Sequence, residues 1–370
     1  MAQPTLTERV DVAVIGGGQA GLATGQALVT RGIECRILDA GARVGDQWRA
    51  RWESLRLFTP AAFDALPGMP FPADPTTFPT KDQMADYLES YAGHLALPIE
   101  LGVRVTAVDL AEDGYVLAAG DGRRIEARQV VVATGAHPTP RVPSLAASIA
   151  PEIQQLHSGE YRNPAQLVDG PVVVVGAGNS GAEIAMELAR AGRPTFLAGR
   201  GTGHVPAAAY AGGGRLFFWV ARHVLTVRTP IGRRMRSRAI SAGGPLIGLT
   251  MGEVIGAGVR RVGRIESVVG GRPAPSDGPA LDVAAIVWAT GFAHDFSWIR
   301  RPVFDDQGWP VQRDGAVASE PGLYFVGLPF QSGLLSALVG GVGHDAWSVA
   351  ATIARRLAVA LPDSVVAPTA

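Results

Sequence analysis

The chain has 370 residues, 47% hydrophobic and 18% charged, which excludes disorder and suggests two to three units, or one α/β domain interrupted by another. Lysine plus arginine equals aspartate plus glutamate at 33 each, so no net field selects for nucleic acid or an anionic membrane. Cys35 stands alone, which excludes an internal disulfide, a CxxC redox pair and a cysteine-based metal site.

The 47 glycines follow no three-residue period and point to tight turns and close backbone approaches. Lys81 is the one lysine, so Schiff-base chemistry has a single candidate, while the many arginines suit bidentate phosphate recognition. No signal segment stands out, and no uncharged apolar run reaches the roughly 18 residues of a spanning helix outside glycine-rich loops. The expectation is a soluble, cytoplasmic protein in a reducing compartment.

Val10 to Ile15 is a short, apolar, β-branched run of the kind buried in a parallel sheet, and it leads directly into Gly16-Gly17-Gly18-Gln19-Ala20-Gly21. A helical pattern follows to about Thr30, then a second strand, Ile33 to Leu38, ending in Asp39. This is a βαβ dinucleotide fingerprint, with the acid near the expected spacing of about 20 residues. One glycine makes the tight turn, one lets the backbone touch a pyrophosphate, and one allows helix and strand to pack. The helix N-terminus supplies N–H groups for phosphate, and Asp39 accepts from ribose hydroxyls.

Between Gly102 and Arg128, strands over Val103 to Val108, Tyr115 to Ala118 and Arg123 to Arg128 alternate with Asp-Gly turns, which predicts a small antiparallel meander sitting on the first domain. The fingerprint then recurs. Pro171 to Val175 is a strand, Gly176-Ala177-Gly178-Asn179-Ser180-Gly181 the turn, Ala182 to Ala191 a helix and Pro194 to Ala198 the next strand. This time Gly199-Arg200 follows with no acid, and an arginine there suits a 2′-phosphate, so the second site reads as NADP-preferring. Val130 to Gly135 and Ile286 to Gly291 are strands that both end in Ala-Thr-Gly, and they look like duplicated crossings between domains.

Arg228, Arg233, Arg234, Arg236 and Arg238 form a basic run with two readings: a surface or lid helix that binds a membrane or guides an anionic cofactor, or a solvated basic face. The zero net charge favours the second. The apolar stretch Leu216 to Val220 leaves a homodimer open. At the end, Gly322 to Gly327 is a strand, and Leu334 to Leu357 is mostly helical with a glycine-rich middle.

Two nucleotide sites, one with an acidic ribose reader and one with an arginine, imply hydride transfer from NADPH to a flavin. There is no GxSxG, no HExxH and no Cys/His ligand cluster, so hydrolase and metal readings have no support, and no metal is expected.

Gly45-Asp46-Gln47-Trp48, with Arg51-Trp52, Leu55, Leu57 and Thr59-Pro60, resembles the segment after the first fingerprint of flavin-containing monooxygenases. Phe71-Pro72, Lys81 and Tyr87-Leu88 continue the likeness. His157 to Pro164 resembles the right half of the family's FxGxxxHxxxY signature. Ala289 to Phe292 and Gly322 to Pro329 are also similar to family segments. The resemblance covers nearly the whole chain, with short bacterial members and plant indole-pyruvate monooxygenases nearest in pattern. Departures are Pro151 and Ile153 in the signature's left half, and Thr59-Pro60 where many members carry an active-site asparagine.

The resemblance implies two Rossmann-like domains, an FAD-binding one over residues 1–165 and 291–370 and an NADPH-binding one inserted at 166–290. It implies FAD contacts at Gly16, Gly18, Gln19, Ala20, Gly21, Asp39, Gln47, Trp48, Val105, Ala133, Thr134, Gly135 and Gly327. Those for NADPH are Gly176, Gly178, Asn179, Ser180, Gly181 and Arg200. His157 and Tyr161 are candidate organisers of the domain junction rather than proton carriers. The implied reaction is reduction of FAD by NADPH, formation of a C4a-(hydro)peroxide with O2, and oxygenation of a small-molecule nitrogen, sulfur or carbonyl group. Two alternatives stand beside it: a flavin reductase without oxygen insertion, and a redox-sensing nucleotide-binding module that turns nothing over.

Overall fold

The computed structural model describes residues 7–135, 139–241 and 244–357. Strand β1 (Thr7–Ile15), helix α1 (Gln19–Val29) and strand β2 (Cys35–Leu38) make the first unit, with Val12 opposite Cys35 in parallel register. Val12 and Val14 face one core of the sheet, and Val10, Ala13 and Ile15 face the other, so this strand is apolar on both sides because both sides are covered. The short helix α2 (Asp46–Arg49) follows, then α3 (Lys81–His94), whose first turn is closed by a capping box between Thr80 and Gln83.

Strands β3 (Ile99–Glu100), β4 (Val105–Ala111), β5 (Gly114–Ala119) and β6 (Arg124–Val132) complete the sheet order β3-β2-β1-β6-β5-β4. The meander therefore belongs to the first domain, where it lies in the plane of the first sheet and extends it. Its third strand and the strand ahead of Ala-Thr-Gly are one continuous element, β6, which pairs parallel with β1 along its length.

The chain crosses through β7 (Thr139–Pro140) into β8 (Gln154–His157), β9 (Val172–Val175), α4 (Asn179–Arg190) and β10 (Thr195–Ala198). Helices α5 (Arg215–His223), α6 (Pro230–Ser241) and α7 (Met251–Gly256) come next. Strand β11 (Arg260–Val262), the hairpin β12 (Ile265–Val269) and β13 (Arg272–Pro275), and β14 (Ala285–Trp288) complete the second unit. The second sheet is wholly parallel, in the order β11-β10-β9-β14-β8. Its edge strand β8 lies ahead of residue 166, where the second domain was expected to begin.

The return runs through β15 (Phe292–Ala293), which pairs antiparallel with β7, so the two crossings lie side by side. Strand β16 (Leu323–Phe325) then joins β6 in parallel, and α8 (Val339–Leu357) packs against α1. Strand β6 thus pairs with β5 near its start and with β16 near its end. Each sheet carries an apolar core on both faces, which makes the protein an α/β fold of two doubly covered units.

Candidate active site

The two fingerprints fold into the same object. Gly16 N–H donates to Leu38 O at 2.8 Å and Ala133 N–H to Ile15 O at 2.8 Å; Gly176 N–H donates to Ala198 O and Ala289 N–H to Val175 O at the same distances. The first glycine of each turn sits at positive φ, +106° for Gly16 and +113° for Gly176, and a Cβ there would lie 2.6 Å from Ala133 O or 2.1 Å from Ala289 O. The twin Ala-Thr-Gly segments are therefore the back walls of the two turns. A Cβ on Gly21 or Gly181 would stand 1.7 or 1.8 Å from the carbonyl of Gly16 or Gly176, so these glycines serve helix-to-strand packing.

Gly18 and Gly178 differ from all of these. Each is the N-cap of its helix with ordinary φ (−78° and −79°), and a Cβ on either would meet nothing within 4 Å. Neither helix has a side-chain cap, while α3 and α7 carry complete capping boxes. Helices α2 and α5 also lack a side-chain cap, so what sets α1 and α4 apart is an uncapped first turn that follows a glycine with open space beside it, a cradle that fits a phosphate group.

Asp39 ends β2 beside the first turn, where its carboxylate accepts from Gly17 N–H at 2.5 Å and Gly41 N–H at 2.7 Å. Val103 N–H donates to Asp39 O, which brings the entry to β4, and the half-buried Val105, alongside. Gly327 packs on the same turn, since a Cβ there would come 2.8 Å from Ala20 Cβ. Trp48 is half-buried against the core that includes α1 and α3, and Gln47 is exposed on α2. Gln19 is half-buried, Thr134 exposed, and Gly135 has φ +77°.

In the second unit, Arg200 is exposed after Gly199, and Ser180 is half-buried in the first turn of α4. The Asn179 amide is committed at both ends, donating to Pro245 O at 3.1 Å and accepting from Ile247 N–H at 2.7 Å, so its backbone N–H alone faces the turn. Arg261, which sequence inspection passed over, donates through Nη2 to Gly199 O at 2.5 Å and holds Nη1 buried with no hydrogen-bond partner among the described residues. Burial lowers its pKa. A basic pair, Arg260-Arg261, opening the strand beside β10 was the available signal.

At the junction, His157 Nδ1 accepts from Gly159 N–H at 3.1 Å, so Nε2 carries the proton and donates to Gly291 O at 3.0 Å. Burial pushes this imidazole below its ordinary pKa and keeps it neutral. Tyr161, fully buried, donates to Glu187 on α4 at 2.8 Å, and burial raises its pKa. Trp52 lies in the core of the second unit beside Tyr161, so the segment after α2 reaches across to the other sheet.

A cavity of about 880 Å³ opens between residues 59–76, α5 and the start of α8. Phe63, Met69, Phe218 and Trp219 supply apolar walls, and Thr59 and Arg222 polar ones. It lies away from both glycine turns but borders the segment leading from Gly327 to α8. Arg222 has no hydrogen bond or ion pair among the described residues, and burial lowers its pKa. Beneath Thr59, whose hydroxyl donates to it, the buried Asp64 carboxyl is pushed up to about 7 by burial. Cys35 is buried in β2 with its thiol raised to about 12, so it is neither exposed nor ionised. No group of three or more metal-ligating side chains occurs among the described residues, and no described helix is long and apolar enough to cross a membrane.

With two dinucleotide-type turns and a separate, largely apolar cavity, the fold and site define an FAD/NAD(P)-type oxidoreductase class. Residues 13–208 match the pyridine nucleotide-disulphide oxidoreductase family. A protein described as an uncharacterized oxidoreductase CzcO-like, from Geobacillus kaustophilus, is 40% identical over 339 residues, covering 91% of this chain and 96% of that one. Rice indole-3-pyruvate monooxygenase YUCCA1 is 34% identical over 200 residues, 52% of this chain and 48% of that one. The structure of a flavin-containing monooxygenase from Stenotrophomonas maltophilia superposes with a TM-score of 0.74 at 29% identity, covering 95% of this chain and 99% of that one. The chain belongs to the pyridine nucleotide-disulphide oxidoreductase family and is a flavin monooxygenase-like oxidoreductase.

Proposed function

We propose that the protein is an NADPH-dependent FAD monooxygenase acting on a small, largely apolar molecule. The observation that carries this reading is the pair of matching, uncapped glycine turns, one ending in Asp39 and the other in Gly199-Arg200. FAD is assigned to the unit built from residues 1–165 and 291–370, less the edge strand β8. NADPH is assigned to the unit of residues 166–290 together with that strand.

Open N–H groups at the start of α1 and α4 bind the two pyrophosphates, with Gly18 and Gly178 leaving room for them. Asp39 retains free lone pairs for ribose hydroxyls. Arg200, with Arg261 behind it, supplies positive charge for a 2′-phosphate. The bound flavin supplies hydride acceptance and activation of O2. His157 fixes the end of β8 to the Gly291 turn and Tyr161 fixes that segment to α4, so both hold the junction between units and neither moves a proton to substrate. The apolar walls of the cavity receive the substrate and exclude water.

Thiol chemistry has no support, since the one cysteine is buried with a raised pKa. Two of the relatives above are also named as monooxygenases. The test is a stopped-flow absorbance record of the anaerobically NADPH-reduced holoenzyme mixed with oxygenated buffer. A two-step return to the oxidised flavin spectrum, with the first species persisting while NADP+ is present, supports oxygenation. A single-step return with stoichiometric hydrogen peroxide replaces it with a reductase.

A further inference from the structure

From Leu188 to Gly252 the sequence carries ten arginines and no aspartate or glutamate, in a chain whose formal charge is zero. This acid-free stretch holds α5 and α6, and α5 is apolar on both sides. Phe218 and Ala221 are buried, while Leu216 and Trp219 turn outward, 73% and 56% exposed. Ile231, on α6 just after the turn at 224–229, is 55% exposed. Leu216 and Val220 also line a shallow groove with Ala208 and Ala211. The same stretch carries Arg215, Arg228, Arg233 and Arg234, all exposed, with Arg233 also donating to Val227 O and Arg228 O. Arg228 approaches one acid, Asp314, at 4.0 Å, and Arg234 makes no ion pair among the described residues.

We propose that α5 and α6 form an interfacial docking surface for an anionic lipid bilayer. A bilayer surface satisfies both halves of the patch: acyl chains take Leu216, Trp219 and Ile231, and lipid phosphates take the arginines. A symmetric dimer through the same patch would set two arginine-rich surfaces against each other, with Asp314 the one acid near them, so like charges oppose that occupant. The docking is peripheral, since no described helix spans a membrane. It also has a consequence for access, because Arg215, Trp219 and Arg222 of α5 line the large cavity, whose mouth thus adjoins the lipid surface.

The experiment uses the flavin-loaded full chain, sedimented with vesicles of phosphatidylcholine alone or mixed equally with phosphatidylglycerol. Binding is expected to the mixed vesicles only and to fall as salt is raised. The double variant Arg228→Gln/Arg234→Gln is expected to lose roughly 25-fold in partitioning, at about fivefold per surface arginine. Leu216→Asp should also abolish sedimentation, with flavin content and NADPH oxidation in solution unchanged. The proposal is overturned if the wild type stays in the supernatant at low salt, or if it binds both vesicle types alike and independently of the arginines. It is equally overturned if the chain is a dimer that Leu216→Asp dissociates while vesicles are ignored, which gives the patch to a second copy.

Discussion

Gly18→Val separates cofactor binding from folding. The native backbone at Gly18, φ −78° and ψ −171°, is open to any residue, and an added Cβ touches nothing within 4 Å. Removing a glycine restricts the unfolded chain and stabilises by about 0.4–1 kcal/mol, while a poorer N-cap residue returns an amount of about that size. The apo variant should therefore melt within a few degrees of wild-type apoprotein. The valine branch fills the space a pyrophosphate needs, and each hydrogen bond to a charged group is worth about 1.5–3 kcal/mol, so losing one weakens FAD by roughly 10- to 150-fold. The control is Gly21→Ala, whose Cβ would sit 1.7 Å from Gly16 O and which should fail to fold. Flavin absorbance of the purified variants, FAD titration of apoprotein and thermal circular dichroism provide the readout. A Gly18→Val protein that is yellow at wild-type stoichiometry, or that unfolds as Gly21→Ala does, refutes the reasoning. The matched variant Gly178→Val should keep its flavin and lose NADPH affinity.

Arg200→Ala should raise KM for NADPH by roughly 10- to 100-fold, the worth of a charged hydrogen bond, while leaving KM for NADH nearly unchanged; equal effects on both remove the 2′-phosphate assignment. Cys35→Ala should retain flavin reduction by NADPH, because a buried thiol raised to about 12 takes no part in turnover, and loss of reduction in a folded, yellow variant would contradict this. Asp64 gives stability a pH dependence. Its folded pKa of about 7 lies above the unfolded 3.8, so the native state holds the extra proton between them, and stability falls as pH rises from about 4 to 7 and is level above. The full effect is on the order of 4 kcal/mol. Asp64→Asn should flatten that part of the melting-temperature profile, leaving a smaller slope from Glu183, whose carboxyl burial also raises to about 7. An unchanged slope refutes the assignment to Asp64.

What the sequence disclosed was local in the chain. Each glycine turn, its preceding strand and the residue that follows the next strand lie within one βαβ stretch, so spacing alone picked out Gly16 to Asp39 and Gly176 to Arg200. Even there, the distinction between Gly18 and Gly21 needed coordinates, because one faces space and the other a carbonyl oxygen. Strand β6 was divided in two because it changes partners along its length, pairing with β5 near its start and with β16 near its end. Asn179 kept its expected place in the turn, but its amide serves a loop 66 residues on, a partner that no local motif encodes.

The least legible parts are assembled from distant segments, and they are the parts that the proposed function gives to substrate. The large cavity draws on residues 59–76, α5 and the start of α8, and Arg222 gains significance from being half-buried there with no acid partner among the described residues. Arg261 reaches Gly199 through the pairing of β11 with β10, across a separation of 62 residues. On the proposed function, cofactor recognition rests on a repeated short-range motif and substrate recognition on long-range packing of segments outside both repeats. Substitutions in either turn should change which cofactors are held, and substitutions of Phe218 or Arg222, which line the cavity, should change which molecules are oxidised while leaving flavin content as it is.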